Sequence, residues 1–310
     1  MKISRPRIAI FNDTHGWHSA QLTDALAALG MEAVLIDLAE CRIDTRSPTG
    51  MVIPQFETTL PDAALVRGIA PGSLEQITLR MDILHTLAEL NVPVLNPATA
   101  IEFTVDKART SLKLQRANIP SPPTWACENR HQAAKIVSEV LAKGQKLVLK
   151  PLFGCQGKGI QLIEQLAQFD ALTPVGNAYY LQQYIPPAEE GQWQDWRLMV
   201  IQGEVVATMT RRSSTHWITN FAQGASCFAS TATEEMAQLA IRASAAVSAP
   251  YAGVDLIQDR QGHFSVLEVN SVPAWKGLYQ ATGIDVAGFI AAMVNTHIQQ
   301  YRQATPVKLC

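Results

Sequence analysis

Two carboxylates and an amide near the C-terminal end of this sequence could share a metal ion. Glu268 and Asn270 alternate within an apolar run that predicts a strand, so their side chains point to the same face. Asp255 lies in the preceding predicted strand, and a hairpin turn about residues 261–262 would bring it opposite Glu268. Facing carboxylates repel each other unless a cation or proton joins them, and oxygen ligands suit Mg²⁺. An ordinary solvent-facing hairpin would explain the spacing equally well.

A lysine followed by several glycines could bind phosphate. Lys150 ends a short apolar run that predicts a strand, and residues 154–159 form a glycine-rich loop after it. Glycines let backbone N–H groups approach phosphate oxygens closely, and a lysine adds a point charge. The spacing differs from that of a Walker loop, and a plain turn is the alternative interpretation. Asp106-Lys107, taken alone, is typical of an exposed helix start.

Two adjacent arginines, Arg211 and Arg212, end a predicted hairpin strand. Guanidinium groups bind planar oxyanions through paired hydrogen bonds, so these side chains could hold a transferring phosphoryl group or a substrate carboxylate. A solvated strand end is the alternative. Cys155, inside the glycine-rich loop, has no histidine neighbour in the sequence, which argues against a covalent role for this thiol.

The elements that must position these residues follow two patterns. In the first hundred residues, strands alternate with helices, which predicts a parallel α/β sheet; the strands are predicted at 7–11, 33–36, 63–66 and 92–95, and the helices at 18–30 and 74–90. Prolines at 120, 122 and 123 predict a domain boundary near residues 100–120. Beyond it, antiparallel hairpins are predicted over 179–185, 197–201, 205–210, 253–257 and 264–270. No Gly-x-Gly-x-x-Gly follows the first strand, so a dinucleotide site has little support.

Composition excludes several classes of protein. The 310 residues carry 25 Lys+Arg and 27 Asp+Glu, a net charge of −2 without a basic stripe, so nucleic acid is not an expected partner. Charged residues make up 17% of the chain, below the roughly one quarter of a typical soluble domain. The five cysteines are widely separated, which argues against a disulfide framework or a zinc site. Without a signal-peptide core or a long apolar run, we expect a cytoplasmic protein with no membrane partner.

The order of the motifs along the chain is more specific than any one of them. The series is Asp106-Lys107, Val148-Leu-Lys150 with its glycine loop, Leu181-Gln-Gln-Tyr-Ile185, Asp195-Trp-Arg197, Asn220, Gly253-Val-Asp255, and Glu268-Val-Asn270 with Pro273. This series resembles the ATP-grasp ligases, and most closely the RimK-like α-L-glutamate ligases. The resemblance covers about residues 100–300, and the first hundred residues are similar to the pre-grasp domain of that family.

The resemblance implies a fold and a division of the chain. The implied fold class is α/β (α+β): an ATP-grasp fold with an N-terminal pre-grasp parallel α/β domain, a small antiparallel-sheet lid and a C-terminal antiparallel-sheet domain. The expected divisions are residues 1–100 for the pre-ATP-grasp domain, 101–185 for the central and lid subdomain, and 186–310 for the C-terminal subdomain with the metal site.

The resemblance also implies a role for each matching residue. Lys107 and Lys150 would hold the α- and β-phosphates of ATP, and Asp195 would lie near the ribose. A flexible loop would close over the phosphates and a hinge would contact adenine; the loop residues are Gly154, Gln156, Gly157, Lys158 and Gly159, and the hinge residues are Gln182, Gln183, Tyr184 and Ile185. Asp255, Glu268 and Asn270 would bind Mg²⁺ or Mn²⁺, with two ions expected. The catalytic positions near the γ-phosphate and the acyl group would be Arg197, Arg211, Arg212 and Asn220.

The sequence departs from the family pattern at three places. Gln183 stands where the hinge commonly has an acidic residue. Ile218, beside Trp217, stands where the family often has an arginine two residues before Asn220. The segment after Asn270, which contains Trp275, has bulkier residues than the small ones usual there in the family. We therefore expect an acceptor pocket that is particular to this chain.

The implied reaction is ATP-dependent, ADP-forming carboxylate–amine ligation through an acyl phosphate. L-glutamate would be added to a carboxylate acceptor, either a small coenzyme of the pterin, furan or deazaflavin type or a protein C-terminus. Arg67, Arg80 and Lys276 are candidates to bind carboxylates, with structural ion pairs as the alternative. The family suggests a dimer or tetramer. A non-catalytic ATP-binding regulatory module is the alternative function, although a degenerate module would not need both lysines and all three metal ligands.

Overall fold

A parallel sheet forms the N-terminal part of the protein. The computed structural model describes residues 5–154 and 157–304. The elements of this part are β1 (Arg7–Phe11), α1 (Trp17–Ala28), β2 (Glu32–Ile36), β3 (Arg42–Ile43), β4 (Met51–Val52), β5 (Ala63–Val66), α2 (Leu74–Glu89), β6 (Val94–Leu95) and α3 (Ala98–Val105). Strands β1, β2, β5 and β6 pair in parallel in the order β2-β1-β5-β6.

A small antiparallel sheet forms the middle of the chain, with the strand order β7-β10-β8-β9. Its elements are α4 (Lys107–Arg116), β7 (Thr124–Cys127), α5 (Arg130–Leu141), β8 (Leu147–Lys150), β9 (Gln161–Ile163), α6 (Leu166–Asp170) and β10 (Tyr179–Gln183). Asp106 begins α4 because its side chain accepts a hydrogen bond from the Arg109 N–H. Helix α5 covers one face of the sheet through Ala133, Val137 and Val140.

A five-stranded antiparallel sheet in the order β13-β12-β11-β14-β15 forms the C-terminal part. Its elements are β11 (Trp193–Ile201), β12 (Glu204–Ser213), β13 (Ser226–Ala229), α7 (Glu234–Ala246), β14 (Tyr251–Gln258), β15 (Phe264–Asn270), α8 (Lys276–Thr282) and α9 (Val286–Ala304). Strands β11 and β12 are joined by Gln202 and Gly203, whose φ values are 50° and 80°. Positive φ at both turn residues is typical of the tight hairpin that the sequence predicts there.

The last helix connects the C-terminal part to the N-terminal sheet. Ile290 and Val294 of α9 lie in the same buried apolar cluster as Ile8 of β1, Leu22 of α1 and Met199 of β11. Helix α7 covers the five-stranded sheet through a separate cluster that contains Ala240 and Val254. The sheet therefore has one face packed on α7, while the packing of α9 joins the first and last parts of the chain.

The predicted elements agree with the structure in type and order. The strands over 7–11, 63–66 and 264–270 have the predicted bounds, β8 ends at Lys150 as predicted, and the other predicted strands and helices differ mainly at their ends. Strands β7 and β13 and helices α3 and α8 were not predicted, because these short elements lack clear periodicity. Within the described residues no single helix is both long and apolar enough to cross a bilayer; only α8 and α9 together, bent by 116°, meet that criterion.

Candidate active site

A cavity of about 680 Å³ lies between the middle sheet and the five-stranded sheet. Lys150 and Gln182 line it from the middle sheet, and Asp195, Asp255 and Glu268 line it from the five-stranded sheet. A smaller neighbouring cavity is also lined by Lys150, Gln182 and Glu268, and Lys107 joins them there. The two sheets therefore place both basic and acidic side chains at two neighbouring cavities.

Strand register places a row of charged residues across the five-stranded sheet. Asp195 of β11 lies opposite Arg211 of β12, and Arg197 of β11 lies opposite Asp255 of β14. Asp255 lies in turn opposite Glu268 of β15, which confirms the pairing expected from the hairpin. Asp195 and Arg197 are two residues apart on one strand, so they share a face. Local alternation and the two hairpins thus assemble the charged row.

Two carboxylates and two guanidinium groups in this row form one buried network. Arg211 donates to both oxygens of Asp195 over 2.7 and 2.6 Å, and its Nη2 lies 2.8 Å from Asp255 Oδ2. Arg197 donates to Asp255 through Nε and, over 2.8 Å, through Nη2. The Thr219 hydroxyl donates to Asp195 over 2.7 Å. This pairing offsets the cost of burying four charged side chains.

Burial and ion pairing together set the charges of the network. Burial disfavours the charged form of Asp255, but Arg197 and Arg211 outweigh it and lower the pKa of this carboxyl to about 2. At Asp195 burial has the larger effect, and the pKa is raised in spite of Arg211. Burial also opposes the charge of Arg211, yet Asp195 and Asp255 raise its pKa. Arg211 therefore stays charged although it is buried.

Two lysines approach the carboxylates from the other side of the cavity. Lys150 Nζ donates to Gln182 Oε1 over 2.6 Å, and burial lowers the pKa of this lysine to about 8. Lys107 Nζ donates to the Gly154 carbonyl over 2.8 Å and lies 3.9 Å from Glu268 Oε1. The ammonium groups and Glu268 thus surround a space in which anionic oxygens could replace the present partners.

The end of β10 and the residues after it also line the cavity. Gln183, Tyr184 and Ile185 line it, and an aromatic wall closes it. Trp193 Nε1 donates to the Tyr184 hydroxyl over 2.9 Å, and the Trp217 ring meets the Tyr184 ring edge-on at 5.8 Å. An aromatic wall of this kind can hold a flat heterocycle such as adenine.

The described part of the glycine-rich loop lies against the segment before β13. A Cβ at Gly157, whose φ is +72°, would come within 2.8 Å of Asn220 Oδ1 and 2.9 Å of an Ile218 methyl group. Only glycine allows both this backbone conformation and this close approach. Lys158 and Gly159 are exposed, and Gln156, which the sequence predicts in the same loop, lies outside the described residues.

The donors at the β14–β15 hairpin fit a hard divalent cation bound together with phosphate. Among the described residues, no three His, Cys, Asp or Glu side chains converge on one point. A metal ion here would be held by Asp255 and Glu268, with Asn270 at the strand end and nucleotide oxygens completing its shell. Mg²⁺ binds in this way, through few protein ligands and the phosphates of its substrate.

The structure gathers most, but not all, of the predicted site residues at the cavity. Asn220 and Arg212 line it with the charged row and the hinge. Arg197 lies behind Asp255 rather than on the cavity wall, and the Asn270 amide oxygen accepts a hydrogen bond from the Val272 N–H over 2.9 Å. Sequence reasoning missed Thr219, whose only signal was its position beside Asn220.

Comparison with known proteins identifies the family. The model of the RimK-like ATP-grasp domain matches residues 104–294. The chain belongs to the RimK-like ATP-grasp family. It is 34% identical, over 77% of its length and 80% of the relative, to the tetrahydromethanopterin:α-L-glutamate ligase of Methanocaldococcus jannaschii. The chain is also 30% identical to the tetrahydromethanopterin:α-L-glutamate ligase of Methanococcus maripaludis, over 95% of this chain and all of the relative.

Solved structures agree with this RimK-like assignment. A RimK domain ATP-grasp protein from Sphaerobacter thermophilus superposes with a TM-score of 0.69 at 26% identity, covering 92% of this chain and 98% of that one. The ATP-grasp ligase PsnB, in complex with a minimal precursor, Mg and ADP, has a TM-score of 0.71 at 17% identity, covering 94% and 98%. The ATP-grasp fold and the RimK-like resemblance expected from the sequence are therefore confirmed.

Proposed function

We propose that this protein uses ATP to add L-glutamate to a carboxylate of a coenzyme, with ADP and phosphate as the other products. One observation carries the proposal: two carboxylates and two lysines meet at the same place. Asp255 and Glu268 lie opposite each other on neighbouring strands. Glu268 lies beside the ammonium group of Lys107 and lines a cavity together with Lys107 and Lys150. The carboxylates can bind Mg²⁺ and the lysines can bind phosphates. This arrangement therefore suits a nucleoside triphosphate bound with Mg²⁺.

The residues have separate tasks in this reaction. Lys107 and Lys150 offset the charge of the α- and β-phosphates, while the segment around Tyr184 holds adenine. Mg²⁺ or Mn²⁺, as two ions, would neutralise phosphate charge when bound at Asp255, Glu268 and Asn270. The glycine-rich loop, with Gly157 against Asn220, excludes water.

The reaction proceeds in two steps. A carboxylate oxygen of the acceptor attacks the γ-phosphorus, and ADP leaves. The amine of L-glutamate then attacks the acyl carbon, phosphate leaves, and the amine proton passes to solvent. Arg211, Arg212 and Asn220, with Arg197 behind them, would stabilise the charge that develops on the transferring phosphoryl group and the acyl oxygen. Positioning supplies the rest of the catalysis, since the substrates provide their own nucleophiles.

A small coenzyme is the acceptor that we favour over a protein C-terminus. The relatives at 34% and 30% identity are named for tetrahydromethanopterin, which supports a pterin-type acceptor. The bulky segment at Trp275 supports an acceptor pocket that is particular to this chain. We also propose the division at residues 100 and 185, a dimer or tetramer, and a cytoplasmic location.

ADP release tests the function. With ATP, Mg²⁺, L-glutamate and a pterin carboxylate, we expect ADP and a product heavier by one glutamyl unit by mass spectrometry. Glu268→Gln should lower turnover by about 100-fold or more, because it removes a charged ligand of the metal ion that would neutralise the phosphates. Glu204→Gln, at the exposed end of β12 in the same sheet, is the matched control and should keep wild-type turnover.

Two results would contradict the proposal. One is a protein that binds Mg²⁺–ATP but releases no ADP with any amino acid and acceptor, which would favour the regulatory alternative. The other is unchanged turnover in both Glu268→Gln and Asn270→Ala, which would overturn the metal-site assignment.

A further inference from the structure

Arg67 is a buried cation that lacks a partner for most of its side chain. It follows β5 directly, is only 9% exposed, and its Nε and Nη1 are buried without a hydrogen-bond partner. No carboxylate of the described residues lies within ion-pair distance of it. Burial lowers the pKa of this guanidinium, whereas the neighbouring Tyr251 opposes that effect. Because an unpaired buried charge is costly, its retention points to a partner that arrives with a ligand.

The site at Arg67, which we call the recess, also includes Trp275, His18 and Lys276. The Arg67 guanidinium stacks on the Trp275 ring, with Cζ 4.6 Å from the ring centre. The backbone N–H of Trp275 donates to His18 Nε2 over 3.1 Å, so the proton of this imidazole is on Nδ1. Burial, Arg67 and Lys276 lower the pKa of His18 to about 4, so this ring is neutral at physiological pH. Lys276 itself is exposed at the start of α8.

The recess lies where the topology of the parallel sheet predicts a ligand. The chain passes from β1 to β2 on one side and then returns to β5 on the other side of β1. The crevice at the carboxyl ends of β1 and β5 is therefore the topological switch point, where ligands of such sheets bind. Arg67 and Gly68 follow β5, and Asp13 follows β1; a Cβ at Gly68 would come within 2.5 Å of Asp13 Oδ1.

Packing contacts connect this recess to the phosphate site. The segment from Asn270 to Trp275 runs directly from the candidate metal ligands to the stacked ring. Within it, Pro273 packs on Gly253 of β14, where a Cβ would lie 3.0 Å from Pro273 Cβ and 3.2 Å from Arg197 Nη1. The phosphate site and the recess are thus joined by one short segment of the chain.

We propose that Arg67, together with Lys276 and the Nδ1–H of His18, binds a non-reacting carboxylate of a substrate. The inference rests on the proposed ligase function and deepens it. Two substrates of that reaction carry such a group: the incoming amino acid, whose amine reacts while its carboxylates do not, and an acceptor with more than one carboxylate. A carboxylate can accept hydrogen bonds from Nη1 and Nη2 of a guanidinium at once, or from Nε and Nη2, so it would supply a partner that Arg67 lacks.

Ligand binding to Arg67→Met and Arg67→Lys tests the site. The probes are L-glutamate and tetrahydrofolate, a pterin that ends in carboxylates, each measured by calorimetry with a non-hydrolysable Mg²⁺–ATP analogue present. Arg7→Met is the matched control, because the Arg7 guanidinium stacks on Phe56 at 4.5 Å and lies at the amino end of β1 in the same sheet.

We expect Arg67→Met to bind one probe at least about tenfold more weakly, with Arg67→Lys intermediate and Arg7→Met like the wild type. Loss for L-glutamate would assign the site to the amino acid, and loss for tetrahydrofolate would assign it to the acceptor. The melting temperature of ligand-free Arg67→Met should equal or exceed that of the wild type, because the substitution removes an unpaired buried charge.

The site would be refuted if Arg67→Met bound both probes as tightly as the wild type, or if the wild type bound neither at millimolar concentration. Failure of the wild type to bind the Mg²⁺–ATP analogue would instead refute the ligase function. In that case L-glutamate binding without nucleotide, compared between wild type and Arg67→Met, decides the carboxylate site alone.

Discussion

Lys150 illustrates how the surroundings of a single residue define its chemistry. Its ammonium group is buried at the end of β8, where it donates to Gln182. Burial lowers its pKa from 10.5 to about 8, although Glu268 partly opposes this shift. The group is therefore charged at neutral pH but close to losing its proton. Phosphate oxygens would favour the charged form and raise this pKa again.

Nucleotide binding should therefore depend on pH. Above pH of about 8 the free protein lacks the Lys150 proton, so Mg²⁺–ATP must bind together with a proton. We expect affinity to fall by up to about tenfold per pH unit between about 8 and 10.5. Calorimetry in buffers of different ionisation enthalpy measures the proton uptake.

Lys150 also affects the stability of the fold, and there the change with pH has the opposite direction. Between these pKa values the unfolded chain binds more protons than the folded chain, so the free energy of unfolding of the ligand-free protein rises with pH. Lys150→Met should abolish both effects, whereas Lys146→Met, at the exposed entry to β8, should retain them. A pH-independent affinity in the wild type would contradict this account.

At the scale of an element, strand β14 holds the centre of the charged row. It pairs with β11 on one side and β15 on the other, and it contributes Asp255. Gly253 lies two residues before Asp255 on the same face, beneath Pro273 and the Arg197 side chain. A glycine at this position leaves room for the arginine to reach the carboxylate.

Gly253→Ala should destabilise the protein and slow the reaction. The added methyl group would lie 3.0 Å from Pro273 Cβ and 3.2 Å from Arg197 Nη1. We expect a loss of about 1 to 3 kcal/mol in the free energy of unfolding, measured with urea, and slower ADP release because Arg197 must shift. In a Pro273→Gly background the same substitution should cost less, and equal costs in both backgrounds would show that the contact is unimportant.

At the scale of the whole molecule, buried contacts join the first and last parts of the chain. The Asn96 side chain, after β6, donates to the Tyr251 and Ser271 carbonyls and accepts from the Tyr251 N–H. The Tyr251 hydroxyl donates to the Val66 carbonyl over 2.9 Å. With α9 packed on α1, these bonds fix the parallel sheet against the sheet that carries the charged row.

Asn96→Ala should therefore lower the free energy of unfolding by more than the small size of the removed group suggests. Three backbone groups would lose their partners in a buried place, and we expect a loss of about 2 to 4 kcal/mol in urea unfolding. Asn129→Ala, which removes an exposed helix cap at α5, should cost about 1 kcal/mol and is the control. Equal losses for the two variants would mean that Asn96 does not connect the sheets.

Much of the fold could be predicted because its signals are local. Alternation along β15 gave Glu268 and Asn270 a common face, and the turn before it placed Asp255 opposite Glu268. Short elements such as β7 and β13 could not be predicted, because their place in a sheet depends on pairing with distant strands. The return of α9 to the N-terminal sheet had no signal either, since an apolar helix face does not specify what covers it.

The sequence alone determined the residue types, their alternation along strands and the order of the motifs, and these were sufficient to identify the RimK-like family. Only the tertiary structure decided which charges pair. Asp255 lies between Arg197 and Arg211, whereas Arg67 is buried against Trp275 without a carboxylate. The reason is physical: alternation follows from backbone geometry within a few residues, but the state of a charge depends on burial and on partners that packing brings from distant parts of the chain.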